Sequence, residues 1–164
     1  MSRAHRIVPT APQRPGLTVR LGAGNTANDR FDLKEMGKAV KLVAESRYNL
    51  CVAGDEIEGF IASVEAASQD GFSIGTVVDS EEMLVTADGL QATPGTGVIA
   101  VGEYVLAGSA TAKGTALAAY QKVVSATNQA TAKGSPYAWR VVSLGAAGTG
   151  AVGTTITIKR ASGA

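Results

Sequence analysis

Short runs of β-branched and aromatic residues, separated by glycine-centred turns and preceded by a stretch rich in proline and arginine, predict an all-β protein. The expected form is a small β-barrel or sandwich with an extended N-terminal arm. Composition agrees with this. Of 164 residues, 20 are Gly, 28 Ala and 15 Thr, so short side chains fill 63 positions, while only 5% are aromatic. A hydrophobic fraction of 45% with a net charge of +1 argues against disorder over the whole chain, and the length suits one domain, or one domain with an arm.

Residues 1–36 read as the arm. Arg3, Arg6, Arg14 and Arg20 precede the first acid, Asp29, and Arg30 follows it. Pro9, Pro12 and Pro15 remove backbone donors and block a helix. The arginines are the candidate contacts of an arm that orders on an acidic neighbouring surface, that of a second copy or of a larger assembly.

Residues 37–164 read as the β-rich domain. Lys38–Val43 and Tyr48–Val52 are the first two strands, and Ala53-Gly54-Asp55 is a turn leading into a run that carries Ile57, Phe60, Ile61 and Val64. Asp70-Gly71 predicts a hairpin turn before Phe72–Val78, and Asp88-Gly89 a second turn after Met83–Thr86. Gly97–Val101, Glu103–Leu106, Tyr137–Leu144 and Val152–Lys159 follow, the last of them β-branched throughout Thr154–Ile158. Thr115–Thr127 fits either period: Leu117, Tyr120, Val123 and Val124 share a helical face, while Gly114 and the surrounding pattern favour strand, which is the preferred reading. Val52–Ile57 and Val101–Val105 echo one another as strand end, Gly-acid turn and strand start, but two instances at no fixed period do not define a repeat.

The chemistry-bearing residues are few. Gly148-Thr149-Gly150-Ala151-Val152-Gly153 has the spelling of a dinucleotide-binding loop, yet it runs into a β-branched segment and not a helix, so it reads as a hairpin loop. The one histidine, His5, lies in the arm, and with one cysteine, Cys51, the chain offers neither a Ser-His-Asp machine nor a zinc site. No metal and no cofactor is expected. Asp55, Glu56 and Glu58, and separately Glu81 and Glu82, are the only paired carboxylates that could serve acid–base chemistry; Glu56 and Glu58 on one face of a strand with Ile57 on the other read as a solvated sheet face. Cys51, between Leu50 and Val52, reads as packed, and a lone cysteine makes no intramolecular disulfide. Tyr137, Trp139 and Arg140 could form a small stacking platform, but one Trp in a small β domain reads first as its core anchor. Near-neutral charge and few aromatics give no reason to expect direct nucleic-acid binding. No apolar run reaches the roughly 18 residues of a membrane span, and no signal-peptide pattern is present, so a soluble protein made in a cytoplasm is expected.

Several runs resemble the tailed-bacteriophage capsid cement, or head decoration, proteins. They are Lys38-Ala39-Val40-Lys41-Leu42, Ala53–Gly59, Gly71–Val77, Gly102–Gly108 and Trp139–Leu144, with Gly150 and Gly153 before a final strand, covering about residues 38 to 159. The resemblance implies a non-enzymatic virion protein that binds the outer surface of an icosahedral head and clamps major capsid subunits, as a dimer or trimer on a local symmetry axis. It implies no catalytic residue, and the arm lies outside it. The rival from the residues alone is a small β-barrel hydrolase or carbohydrate-binding module using Asp55, Glu56 and Glu58; an adhesin module is a third reading, disfavoured by the missing export signal.

Overall fold

Alternating inward and outward side chains close a sheet on itself when its last strand can pair with its first, and this chain does so twice. The computed structural model describes residues 17–22, 29–45, 47–65, 73–79 and 82–161. In the first barrel, β1 (Leu17–Leu21), β2 (Ala39–Ala44), β3 (Arg47–Leu50), β4 (Gly59–Glu65) and β5 (Ser73–Val78) lie in the ring order β1-β3-β2-β4-β5, and β5 pairs back onto β1. Only β1 and β3 run parallel. Val19, Leu21, Val40, Ile61 and Val77 fill its interior together with Phe31. A 3-10 turn at Leu33–Glu35 joins β1 to β2; the Asp32 carboxylate accepts from the Lys34 amide at 2.7 Å and the Glu35 carboxylate from the Asp32 amide at 3.0 Å, a reciprocal cap.

The second barrel contains β6 (Glu82–Leu90), β8 (Tyr104–Ala107), β9 (Lys122–Ser125), β10 (Trp139–Ser143) and β11 (Thr155–Arg160), with β7 (Thr93–Pro94) a short hairpin partner of β6. The ring order is β11-β10-β8-β9-β6, closed by β6 on β11, and only β6 and β9 run parallel. Helix α1 (Gln129–Gly134) precedes β10, its first turn capped by Asn128, which accepts from the Thr131 amide at 3.0 Å.

The two rings are the same structure. Taking the five strands of each in chain order, leaving β7 aside, both run first-third-second-fourth-fifth, with the one parallel pair between first and third. The registers match residue for residue. Both barrels carry a bulge in the fourth strand, between Ile61 and Ser63 and between Val141 and Ser143. Aligning Ile61 with Val141 pairs Val77 with Ile158, hence Leu17 with Met83. That pairs Arg47 with Lys122, Val40 with Val105 and finally Gly59 with Trp139, which is where the bulge already put them. The ring closes without a slip. Because a one-residue shift would turn every side chain to the other face, agreement around the full circle fixes the equivalence.

The barrels are joined through one face of the first. Ala39, Phe60 and Val78 form a cross-strand row on its outside, and Ala39 and Phe60 are buried in one cluster with Val85, Val105, Val141, Ile156 and Trp139 of the second barrel, Val78 packing against it. Phe60 meets the Trp139 ring edge-on, with centroids 5.1 Å apart and planes at 90°, and the Trp139 indole N–H donates to the Ile57 carbonyl at 2.8 Å. Such an aromatic pair adds about 0.5–1.5 kcal/mol to the area it buries.

The all-β barrel expectation holds, and several local expectations are corrected. The arm does not extend to residue 36: Leu17–Leu21 is a barrel strand, because Val19 and Leu21 are needed inside, and 29–36 carries Phe31 into the core. Residues 1–16 lie outside the described residues, as does the Asp70-Gly71 turn. Asp88-Gly89 is no turn but lies within β6, where Gly89 has φ +85° and a register shift passes the strand over a bulge. Gly97–Val101 is not a strand; Val98 makes one bridge, to Ala151. Within Thr115–Thr127 only Lys122–Ser125 is strand, and α1 follows where no helix was expected. The sequence echo is not the structural repeat, since Val52–Ile57 leads into β4 and Val101–Val105 into β8, which are not equivalent strands.

Candidate interaction surfaces

Of the carboxylates proposed for chemistry, Asp55 is engaged at the seam between the barrels. Asp55 accepts from the Val52 amide at 2.7 Å and pairs with the Lys41 ammonium at 2.7 Å. On either side of its Cα, the Gly54 amide donates to the Ala107 carbonyl at 2.8 Å and the Ala107 amide to the Asp55 carbonyl at 2.9 Å. Residues 51–58 thus bridge to β8 and do not form the expected strand, although Glu56 is exposed and Ile57 buried as the alternation implied. Glu58 is half-buried, Glu82 makes an exposed pair with Lys159 at 3.5 Å, and Glu81 lies outside the described residues. The Cys51 thiol is buried and donates to the Glu56 carbonyl at 3.6 Å; burial, reinforced by Asp55, pushes its pKa up to about 12. It is therefore a protonated, packed thiol at neutral pH.

Two charge clusters hold the second barrel's long loop onto the first barrel and onto itself. Glu35 and Lys38 are both about 1% exposed and 3.3 Å apart; Lys38 also donates to the Ala112 carbonyl at 2.9 Å, and the Gly114 amide donates to Glu35 at 2.5 Å. Asp88 accepts from the Ser109 amide at 3.0 Å and from its hydroxyl at 2.5 Å, and pairs with Lys122 at 3.2 Å. Burial alone would raise the Asp88 pKa, but the Ser109 hydroxyl and amide and then Lys122 outweigh it, and the carboxyl titrates below its usual value.

Of the candidate arginines, Arg3, Arg6 and Arg14 lie outside the described residues. Arg20 is half-buried on β1, beside Arg47 of β3 and Ile74 of β5. Arg30 is exposed, and its carbonyl accepts at 3.1 Å from the ammonium of Lys113, in the second barrel's 108–121 loop. Trp139 is the core anchor and not a stacking surface, while Tyr137 lies under the Arg160 guanidinium, 5.1 Å from the ring centroid. Gly148–Gly153 is a turn between β10 and β11, as expected of a hairpin loop.

Two hollows among the described residues bear on partners. The first is an apolar groove of about 600 Å³ between the barrels, lined among others by Leu33, Met36, Ile61, Leu84, Leu117 and Tyr120. Leu33 is 68% exposed and Leu84 48%, a cost that isolated monomers avoid over contiguous area. Nothing in the chain's local pattern marks it, because its residues come from five separate segments. The second is a polar hollow of about 360 Å³ on the outside of the second barrel, lined by Tyr104, Arg140, Val142, Lys159, Arg160 and Ala161. Tyr104, Arg140, Lys159 and Glu82 stand in one cross-strand row over β8, β10, β11 and β6.

Among the described residues no three His, Cys, Asp or Glu side chains gather as a metal site, and no helix is long and apolar enough to cross a membrane. No family model, curated protein or solved structure matches the chain. The chain is a double barrel in which one ring topology occurs twice.

Proposed function

We propose that this is a structural virion protein, a capsid cement protein that binds the outer surface of an icosahedral phage head and stabilises it by bridging major capsid subunits, in association with further copies of itself. The observation that carries the reading is the inter-barrel groove, whose exposed leucines fit a protein whose buried surface is completed by partners. The runs that resemble cement proteins support it further: several fall on β2, the 51–58 bridge, β8 and β10, which contribute to the seam, and another on β5. Many copies on one lattice make modest single contacts sufficient. A hydrolase or carbohydrate module built on Asp55, Glu56 and Glu58 is less well supported, because Asp55 is engaged by Lys41 and the Val52 amide and none of the three lines the groove.

The test is mass spectrometry of purified heads of the phage that encodes the chain, with rebinding of added protein to heads lacking it. The protein should be a stoichiometric head component, and Leu84→Asp with Tyr120→Asp should fold but rebind poorly. Heads that lack the protein and do not take it up contradict the reading.

A further inference from the structure

The equivalence of the two barrels assigns a role to a face that nothing else explains. The row Ala39, Phe60, Val78 of the first barrel is the face buried against the second. Its counterparts, by the register that closes both rings, are Tyr104, Arg140 and Lys159. The same position on the same fold is thus a docking face in one barrel and an open hollow of about 360 Å³ in the other. The chemistry has been exchanged along with the occupancy: an alanine, a phenylalanine and a valine in the covered row, a phenol and two cations in the open one.

The open row is also arranged against its own stability. Arg140 and Lys159 are directly opposed on adjacent antiparallel strands, where like charges repel. Arg160 stands next to Lys159 and is occupied by Asp79, the Pro136 carbonyl and the Tyr137 ring, and among the described residues Lys159 has only the exposed contact to Glu82. Among the described residues the Arg140 guanidinium has no hydrogen-bond or ion-pair partner. A guanidinium fork flanked by an ammonium and a phenol matches carboxylate geometry, which it can bind through two parallel hydrogen bonds.

We propose that the Tyr104–Arg140–Lys159 face of the second barrel is a docking site for an acidic segment of a protein partner, with Arg140 gripping a carboxylate and Lys159 a second acid beside it. Protein carboxylates fit better than nucleic acid, since Trp139 is buried and the Tyr137 ring is covered by Arg160, which leaves neither to stack a base. The site stands whether or not the partner is a capsid subunit.

Hexaglutamate titrated into the full-length protein and followed by amide NMR shifts and calorimetry tests this. Shifts should centre on residues 104–107, 139–143 and 157–161, weaken with salt, and affinity should fall about tenfold or more in Arg140→Gln with Lys159→Gln. Arg140→Lys, which keeps the charge and loses the fork, should fall between. Lys34→Glu, on the first barrel, should bind as the wild type does. Absence of shifts at this face, or an equal loss in Lys34→Glu, overturns the proposal, and so does tighter binding of a single-stranded oligonucleotide to the same residues.

Discussion

The first barrel and the second share ring order, strand direction, bulge and register, yet they are filled and covered differently. At equivalent positions stand Gly59, against which Val77 and Val78 close in, and Trp139, the largest buried side chain of the molecule. Gly75 and Ile156 form a second such pair. The first barrel is narrow at these points because its neighbours occupy the space; the second uses a tryptophan that also reaches across to Ile57 and Phe60. A register-specified barrel thus tolerates opposite choices of side-chain size, provided the hydrogen-bonded ring is kept and volume is redistributed. The barrels also differ on the outside: one shows an apolar row and is covered by the other barrel, the second a cationic row that is open.

Exchanging the filling should break the comparison most severely. Trp139→Ala removes the anchor of the seam and should cost about 3–5 kcal/mol, read from urea unfolding at unchanged slope. At Gly59 an added methyl meets the Val78 carbonyl oxygen at 2.8 Å and the Val77 side chain, so Gly59→Ala should cost about 1–3 kcal/mol. Equal, small effects at both sites would show that the two positions are not filled in opposite ways.

Next comes the charge pair that holds the 108–121 loop to the first barrel. Lys38→Met leaves Glu35 buried without its counter-ion and should cost about 3–5 kcal/mol. Adding Glu35→Leu should recover part of this, leaving the loss of the Asp32 and Gly114 amide bonds. A double-mutant cycle with no coupling would contradict the pairing.

The smallest effect is on pH dependence. The Asp88 pKa is lowered in the folded state, so its contribution is present above the unfolded value near 3.8 and is lost as the pH falls through the lower folded one. Asp88→Asn should therefore be less stable than wild type at neutral pH, with the difference shrinking below about pH 4. A gap that stays constant down to pH 2 would place the stabilisation elsewhere. By the same register the first-barrel counterpart of Asp88 is Gly22, which carries no carboxylate.

Much of the fold was legible. Thr154–Ile158 reads as strand because β-branched residues are favoured on both faces, and β11 indeed runs Thr155–Arg160. Cys51, Trp139 and the glycine-rich loop were readable because each reading followed from immediate neighbours. The duplication was hidden for a physical reason: register is specified by which face a residue takes, not by its identity, and few equivalent positions match beyond Val19 with Val85, Val40 with Val105, and Thr76 with Thr157. Loops of unequal length erase any period, residues 45–46 corresponding to 108–121 and 51–58 to 126–138. β1 was hidden by the prolines and arginines before it, and the two surfaces by being assembled from distant segments.

The most direct measurement is a cryo-electron-microscopy map of the head. It should show two-lobed density on the outer surface bridging capsid subunits, with the Tyr104–Arg140–Lys159 face of the second barrel against an acidic segment of a neighbouring subunit or copy. Heads without such density would contradict the cement role, and density in which that face points to solvent would contradict its role in docking.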